Sequence, residues 1–233
     1  MTRIPLALLP GTLCTAVLWD NQIEALADIA DIHVIETSHH DNLDALAEHI
    51  HTVMPDQFAV AGLSYGGIVA FAVWRHNPRV ISHLGLMNTT SAPVTAEKRV
   101  AQMKQADLAV SGQFQAIVIE QASNLMSMAA CRPNLGLHAK ILTMANQVGA
   151  QGFVNQIKAQ VNRPDNRPIL GDITCPTLVL TGENDRFCPP DIHCEIASKI
   201  PNATLYIIPN CGHLSTFEQP EQVFNLMRIW LQS

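Results

Sequence analysis

The stretch FAVAGLSYGGIVAFAVW, residues 58–74, begins with an apolar run typical of a buried strand and continues as an apolar helical segment. Between the two lies GLSYGG, which matches the pattern G-x-S-x-G in the strand-to-helix context that presents a nucleophilic serine. A tight turn there holds Ser64 in unfavourable backbone geometry, and Gly62, Gly66 and Gly67 remove side chains that would collide. The start of the helix also directs backbone N–H groups at the serine oxygen. The pattern therefore predicts that Ser64 is a nucleophile in acyl transfer.

A serine hydroxyl is a weak nucleophile, so it needs a general base and an acid that orients the base, in the chain order Ser, acid, His. Asp185 lies just after the β-rich run TLVLTG, and His213 follows the next run, TLYIIP, in the same way. Catalytic groups of open α/β sheets collect at the carboxyl ends of the strands. We therefore predict a catalytic triad of Ser64, Asp185 and His213. Three other carboxylates lie close enough in sequence to replace Asp185: Glu183, Asp191 and Asp172.

An oxyanion hole requires backbone N–H groups that face the acyl oxygen, and one of them comes from the loop after the first strand of this chain. That loop is LPGTLC, residues 9–14, in which the Pro-Gly pair makes the turn. The N–H groups of Thr12 and Leu13 are both candidates, and alignment of the motif favours Thr12. The second N–H is expected from Tyr65, which follows the serine.

Six short β-rich runs alternate with amphipathic segments, which is the pattern of a parallel sheet covered by helices on both faces. The runs cover residues 4–10, 32–37, 58–64, 82–88, 177–182 and 204–209. Helices are predicted near residues 19–29, 43–54, 66–77, 190–199 and 220–232. The sequence thus predicts the α/β class, with about six parallel strands.

Residues 91–171 interrupt this alternation, because they are helix-rich and contain no convincing strand. Pro-containing connectors bound the segment, with SAP at 91–93 and RPDNRP at 163–168. An unstructured loop of ~80 residues is uncommon in a compact domain. We predict a helical cap, residues 91–171, inserted into an α/β core formed by residues 1–90 and 172–233.

The predicted cap begins and ends at the edge of the sheet that carries the proposed triad, so it should cover the site. Some of its apolar side chains, which exceed what short helices need for their own packing, are expected to face the pocket and contact the acyl group. The candidates are Leu108, Phe114, Ile117, Ile119, Leu125, Met126, Met128, Leu142 and Met144.

The connector RPDNRP carries alternating charges, with Asp165 between Arg163 and Arg167. These side chains could grip an anionic substrate. Alternatively, they form ion pairs at a hinge of the cap, which is the more common role of a Pro-flanked charged connector. The sequence leaves open whether any of the three touches substrate.

Composition argues against several classes of partner. The formal charge is −6, from 14 Lys and Arg against 20 Asp and Glu, and no basic run could neutralise a row of phosphates, so nucleic acid is not expected as a partner. The chain shows neither a signal peptide nor an apolar stretch of about 18 residues, so we expect a cytoplasmic protein without a membrane partner.

The sequence also lacks the pattern of a metal site or a disulfide framework. The six cysteines are expected to be free thiols, because the chain is not small and carries no secretory signal. There is no C-x-x-C pair, and His39, His40 and Asp41 have no second cluster with ligand spacing, so no metal is predicted.

Three segments resemble the α/β-hydrolase superfamily: GLSYGG as the nucleophile turn, GENDRFCPP at 182–190 as the acid loop, and NCGHLSTFEQP at 210–220 as the histidine loop. Together with LPGTLC and RPDNRP, they are similar to small bacterial carboxylesterases and 3-oxoadipate enol-lactonases. Pro10 stands where the superfamily usually has a histidine. The chain begins at the equivalent of the superfamily's third strand, so the resemblance implies a six-stranded, all-parallel sheet.

Motifs and resemblance together predict a serine hydrolase that cleaves an ester or lactone of a small, fairly apolar acid through an acyl-enzyme. The substrate is a small molecule, and this chemistry requires no cofactor. A thioesterase or a C–C bond hydrolase on the same triad is an alternative. A non-hydrolytic lyase and a ligand receptor on the same scaffold stay open as other classes, and the substrate, the pathway and the oligomeric state are undetermined.

Overall fold

The computed structural model describes residues 3–128 and 135–233. In this part of the chain, six strands form one sheet in which all neighbouring strands are parallel. The strands are β1 (Ile4–Leu9), β2 (Ala30–Val34), β3 (Phe58–Leu63), β4 (Ile81–Met87), β5 (Thr177–Gly182) and β6 (Ala203–Ile208), in the spatial order β2-β1-β3-β4-β5-β6. The prediction of an α/β fold with six parallel strands is confirmed.

Helices cover both faces of the sheet. One face carries α2 (Leu43–Val53), α3 (Tyr65–His76) and α7 (Pro190–Lys199), and the other carries α1 (Asp20–Leu26) and α9 (Pro220–Leu231). A single helical turn, α8 (Ser215–Glu218), precedes α9. Successive residues of a strand point to opposite faces, so β3 places Phe58 and Val60 in one apolar cluster and Ala59, Ala61 and Leu63 in the other.

Residues 91–171, the cap segment, contain the helices α4 (Ala96–Leu108), α5 (Phe114–Met128) and α6 (Leu135–Val161), and no strand among the residues described. A π-helical turn at Ala109–Gln113 joins α4 to α5, and α6 bends at Gly149, whose φ is 70°. These helices enclose an apolar cluster of their own. The content of the segment matches the predicted helical cap, while its status as a separate domain stays a prediction.

Two local features differ from the sequence-based expectation. Strand β2 begins at Ala30 and ends at Val34, earlier than the predicted range 32–37, because its pairing with β1 runs from Ile4 and Ala30 to Leu8 and Val34. The sequence analysis did not predict α8 or the three short 3₁₀ helices, because elements of three to six residues are too short to show a periodicity. The three 3₁₀ helices are Ala16–Trp19, Pro78–Val80 and Arg167–Asp172.

The carboxyl ends of the central strands lie level with one another. Residue pairing joins the end of β1 to β3 through Leu9 and Gly62, and the end of β4 to β5 through Met87 and Leu180. The winding of the sheet reverses between β1 and β3, and ligands of open α/β sheets bind at such a switch point. The loops after β1 and β3 therefore lie side by side at the expected place for a site.

Candidate active site

Ser64 occupies the turn between β3 and α3, with φ 58° and ψ −115°. A positive φ is strained for a residue with a side chain, and it persists only where the surroundings fix it. Here the Ser64 N–H donates to the carbonyl oxygen of Met87 at 2.9 Å, and the Ser64 carbonyl accepts from the hydroxyl of Thr89 at 2.8 Å. The end of β4 and the loop after it thus hold the turn.

The glycines of the turn are required by close backbone approach. A Cβ on Gly62 would collide with the backbone of Gly66, and a Cβ on Gly66 would collide with the carbonyl of Leu9 at the end of β1. Only glycine allows the backbone to pass this closely. The spacing that suggested a nucleophile turn in the sequence therefore follows from packing between β1, β3 and α3.

The structure brings His213 to both predicted partners. Its Nε2 lies 2.9 Å from Ser64 Oγ, and its Nδ1 lies 2.9 Å and 3.0 Å from the two carboxylate oxygens of Asp185. With the proton on Nδ1 donated to the carboxylate, Nε2 is free to accept the proton of the serine hydroxyl. His213 and Asp185 are only 6% and 2% exposed, so the bond between them is shielded from water, while Ser64 is half-buried and faces the cavity.

Asp185 lies in a loop that stabilises its charged form. Its Oδ1 accepts from the backbone N–H groups of Phe187 at 2.9 Å and Cys188 at 3.0 Å, and its Oδ2 accepts from the side-chain amide of Asn88 at 2.9 Å. Burial acts to raise the pKa of Asp185, but the hydrogen bonds, chiefly that from His213, outweigh it and hold the pKa below its usual range. Asp185 is therefore a carboxylate near neutral pH.

The three alternative carboxylates do not reach the histidine. Glu183, Asp191 and Asp172 are exposed, and Glu183 instead accepts the backbone N–H of Asn210 at 3.2 Å. Of the four acidic candidates, Asp185 alone has a hydrogen bond to His213 in the structure.

Two side chains that the sequence analysis missed, the buried Asn88 and the half-buried Glu218, hold the Asp185 and His213 loops. Asn88, which follows β4, donates to Asp185 and to the carbonyl of Gly212 and accepts from the hydroxyl of Ser215 at 2.6 Å. Glu218 accepts the N–H groups on either side of His213, from Gly212 at 2.7 Å and Leu214 at 3.0 Å. Asn88 could have been found by its place at a strand end, whereas Glu218 lies in α8, which the sequence does not reveal.

A second histidine, His193, lies under the site and has a structural role. Its Nε2 accepts the backbone N–H of Thr89 at 3.0 Å, and its Nδ1 donates to the carbonyl of Pro189 at 3.3 Å. The bond accepted by Nε2 requires a neutral ring, and burial lowers the pKa of His193 to about 4. His193 therefore fixes the Thr89 loop, which in turn holds Ser64.

The candidate oxyanion groups lie in the loop after β1 and at the start of α3. The N–H of Leu13 donates to the side-chain oxygen of Gln156 at 2.9 Å, so it is already occupied. The N–H groups of Thr12 and Tyr65 have no hydrogen-bond partner among the residues described. The geometry therefore favours Thr12 over Leu13 as the partner of Tyr65.

Helix α6 fixes the loop after β1. Gln156 is fully buried, and its amide nitrogen donates to the hydroxyl of Thr37 at 3.2 Å while its oxygen holds the Leu13 N–H. One turn later, Gln160 donates to the hydroxyl of Thr12 at 2.8 Å. Leu13 has a positive φ of 58°, so these bonds hold the loop in a conformation that it would not adopt alone.

A cavity of about 330 Å³ lies above Ser64 and His213. We call the part of the wall formed by residues outside 91–171 the core side, and it includes Ser64 and His213. The part formed by α4, α5, α6 and their connectors is the cap side. The cap side is mixed, because Val94, Leu125, Phe153 and Ile157 line it beside six polar side chains. Its polar members are Lys98, Gln102, Gln105, Gln121, Gln160 and Arg163.

Only part of the apolar set from the cap segment lines the cavity. Of the nine candidates, Leu125 lines the cavity, whereas Phe114 and Ile117 are buried between the cap helices and Ile119 is 56% exposed. The apolar faces of these helices are used for packing on one another and on the core. Among the rest, Leu108, Leu142 and Met144 pack in apolar clusters, and the side chains of Met126 and Met128 lie outside the described residues.

In the charged connector RPDNRP, residues 163–168, one arginine faces the cavity and the other lies outside it. Arg163 lines the cavity, and its guanidinium donates to the carbonyls of Ala92 at 2.8 Å and Gln160 at 3.1 Å. Asp165 and Arg167 form an ion pair of 2.6 Å with each other outside it. Of these three residues, only Arg163 is placed to meet a ligand. Asp165 and Arg167 form the ion pair that was the alternative interpretation of the connector.

Two thiols line the cavity without the character of nucleophiles. Burial raises the pKa of both Cys14 and Cys188 to about 12, so they stay protonated near neutral pH. Cys131 lies outside the described residues. Within the described ranges no group of three or more His, Cys, Asp or Glu side chains could hold a metal ion, and no helix is long and apolar enough to cross a membrane.

The geometry and the fold agree with a family model described as "Alpha/beta hydrolase family", which matches residues 8–226. The chain belongs to the alpha/beta hydrolase family. Among solved structures, a thermophilic esterase from Thermogutta terrifontis with malate bound is similar to this hydrolase-family chain at a TM-score of 0.89 and 27% identity. The match covers 99% of this chain and 90% of that one.

Curated relatives are more distant or matched in part. A 2-hydroxy-6-oxononadienedioate/2-hydroxy-6-oxononatrienedioate hydrolase of Paraburkholderia xenovorans is 29% identical over 79% of this chain and 63% of its own length. An (E)-2-((N-methylformamido)methylene)succinate hydrolase of Acinetobacter baylyi is 25% identical over 98% of this chain and 90% of its own. The chain spans about three fifths of the length of the first curated relatives it matches, at 63% and 59%.

Proposed function

We propose that this member of the alpha/beta hydrolase family is a serine hydrolase that cleaves an ester or lactone of a small acid through an acyl-enzyme. The observation that carries the proposal is the unbroken chain of hydrogen bonds from Asp185 through His213 to Ser64 at the base of a cavity. Membership of the family and the similarity to an esterase support hydrolysis as the reaction.

In the proposed mechanism, Ser64 Oγ attacks the acyl carbon and His213 Nε2 takes the serine proton. Asp185 holds the Nδ1–H of the ring and stabilises its positive charge. The negative charge on the acyl oxygen is stabilised by the free N–H groups of Thr12 and Tyr65 and by the N-terminus of α3. His213 gives its proton to the leaving group, and water repeats the attack.

The size of the cavity limits the substrate. About 330 Å³ suits a small acid rather than a long acyl chain. The substrates in the names of both curated relatives are dicarboxylates of modest size.

A second candidate reaction is hydrolysis of a C–C bond next to a carbonyl. The observation that favours it is the 29% identity to the Paraburkholderia xenovorans hydrolase, whose named substrate contains no ester, lactone or amide linkage. The same serine, histidine and oxyanion groups would serve this reaction.

The test is a panel of p-nitrophenyl esters, lactones, acyl thioesters and a 2-hydroxy-6-oxodienoate, assayed with the purified protein and with Ser64→Ala. We expect hydrolysis of an ester or lactone that Ser64→Ala reduces by roughly a thousandfold or more. A fluorophosphonate should modify Ser64, as mapped by peptide mass spectrometry. Modification of another residue with Ser64 untouched, or full activity in Ser64→Ala, contradicts the proposal.

A further inference from the structure

The cavity above Ser64 contains positive charges but no acidic lining. Lys98 on α4 and Arg163 after α6 both line it, whereas no Asp or Glu is among its lining residues in the described part of the chain. Asp185 is buried behind His213 and is not part of the wall. In a chain with a formal charge of −6, a cavity with two cations and no carboxylate is a specific local arrangement.

Neither of these cations is neutralised by the protein. Other basic side chains, such as Arg75, Lys199 and Arg228, form ion pairs with carboxylates. Among the residues described, Lys98 and Arg163 form none, and the Lys98 ammonium has no hydrogen-bond partner either.

The guanidinium of Arg163 is held in place with one edge available. Its Nε and Nη1 donate to the carbonyls of Ala92 and Gln160, while Nη2 has no partner among the described residues. Burial lowers the pKa of Arg163, which means that its charge is partly desolvated. A fixed and partly desolvated guanidinium with free N–H donors is well suited to bind a carboxylate.

The surroundings of the two cations are polar and incompletely bonded. Lys98, Gln102 and Gln105 follow one another at helical spacing, so they face the cavity together from α4. The side-chain oxygen of Gln102 is buried and has no hydrogen-bond partner among the described residues. Both cations also lie near the thiol of Cys188, where their charges act to lower its pKa against the effect of burial. The two positive groups therefore converge on one part of the cavity.

We propose that the substrate carries a carboxylate in addition to the bond that is cleaved, and that Arg163 and Lys98 bind this carboxylate while the reacting carbonyl lies at Ser64. The inference rests on the proposed hydrolase function and names the substrate class of the same site. The expectation of a fairly apolar acid is replaced by that of an anionic one. Charge-assisted hydrogen bonds from the half-buried Arg163 correspond to roughly 10- to 100-fold in KM or Kd, and the exposed Lys98 is expected to contribute less because solvent screens its charge.

The kinetic test uses matched pairs of esters that differ by one carboxylate. Mono-p-nitrophenyl adipate is compared with p-nitrophenyl hexanoate for a carboxylate on the acyl side, and 3-acetoxybenzoate with phenyl acetate for one on the alcohol side. We expect the protein to prefer the anionic member of at least one pair by about tenfold or more in kcat/KM. Arg163→Gln should lower that preference by about tenfold and Lys98→Gln by about two- to fivefold, since Lys98 is exposed, in both cases mainly through a higher KM for the anionic ester.

Lys104→Gln is the matched control, because Lys104 lies on the same helix and is exposed, as Lys98 is, but does not line the cavity. This variant should keep the preference of the wild type. Equal use of the two esters in both pairs, or equal losses for both esters in Lys98→Gln and Arg163→Gln, overturns the inference. In that case Arg163 would only join the ends of the cap segment through Ala92 and Gln160.

A binding test separates this inference from the proposed chemistry. Adipate should raise the Tm of the wild type and of Ser64→Ala alike, and should raise it less in Lys98→Gln and Arg163→Gln. If no ester is hydrolysed but adipate still stabilises the protein through these two residues, the hydrolase proposal fails and the anion site stands. If esters are hydrolysed and adipate has no effect on Tm in any variant, the anion site is wrong.

Discussion

On the core side of the cavity, Ser64 is joined by hydrogen bonds to the buried pair of His213 and Asp185, whereas on the cap side the side chains of Lys98 and Gln105 have no hydrogen-bond partner within the described part of the chain. A fully bonded arrangement has one low-energy geometry, which suits a fixed chemical step. Unpartnered polar side chains are free to bond a ligand, which suits the choice of substrate. Under the proposed function, the reaction would be carried by the core side and the choice of substrate by the cap side.

The largest effect should come from breaking the core side with Asp185→Asn. The amide cannot hold the His213 ring with its proton on Nδ1, so we expect kcat to fall by roughly a thousand- to ten-thousandfold, with little change in KM. Steady-state assays on a p-nitrophenyl ester measure this, and thermal melting reports on folding. Glu183→Gln, an exposed carboxylate in the same loop, is the control and should keep full activity. A loss below tenfold would mean that another group orients His213.

His193, which holds the Thr89 loop beneath the core side, should make the free energy of unfolding depend on pH. The pKa of His193 is about 4 in the folded protein, lowered by burial from 6.5, so between these values the unfolded chain binds more protons. The free energy of unfolding should therefore fall as pH is lowered through this window, by about 3 kcal/mol from His193. Denaturant titrations near pH 7 and near pH 4 measure it. The slope should be smaller in His193→Gln and unchanged in His49→Gln, an exposed histidine; equal slopes in all three would rule out this role.

Loss of the hydrogen bond between Gln156 on α6 and the Leu13 N–H in the loop after β1 should have an intermediate effect on stability and activity. Gln156→Leu leaves the buried N–H of Leu13 without a partner, which is expected to lower the free energy of unfolding by about 1–3 kcal/mol. Because the same loop carries the Thr12 N–H, kcat should fall roughly tenfold or more while KM changes less. Gln151→Leu, an exposed position on α6, is the control. If kcat holds in Gln156→Leu despite lower stability, α6 does not position the oxyanion loop.

The core side was predictable because its chemistry lies at strand ends, where the sequence records both the strand and the residue that follows it. Ser64, Asp185 and His213 each follow an apolar β-rich run, and a parallel sheet brings such positions together. His193 and Glu218 were missed because they lie on helices and act through bonds to the backbone of distant loops.

The cap side was not predictable, because helical periodicity shows which residues share a face but not which face meets the cavity. Phe114 and Ile117 were expected in the pocket and instead hold the cap helices together. The exposed Lys98 and the half-buried Gln102 line the cavity only because α4 packs over the core, and the sequence does not show that packing. Whether Arg163 faces the cavity likewise depends on the path of the RPDNRP backbone, which the sequence does not show.

The smallest effect should come from Arg167→Gln. This variant compares an arginine outside the cavity with Arg163, which lines it, within one connector. Arg163 and Arg167 lie four residues apart in RPDNRP, yet Arg163 lines the cavity while Arg167 bonds Asp165 at 2.6 Å outside it. Exposed ion pairs contribute little, so we expect Arg167→Gln to leave both Tm and the preference for the anionic ester within error of the wild type. The pair holds the pKa of Asp165 at about 2, so the result should be the same at about pH 5 and pH 8. A loss of preference equal to that of Arg163→Gln would mean that the connector acts as one hinge, and that its charges control the cap segment rather than the ligand.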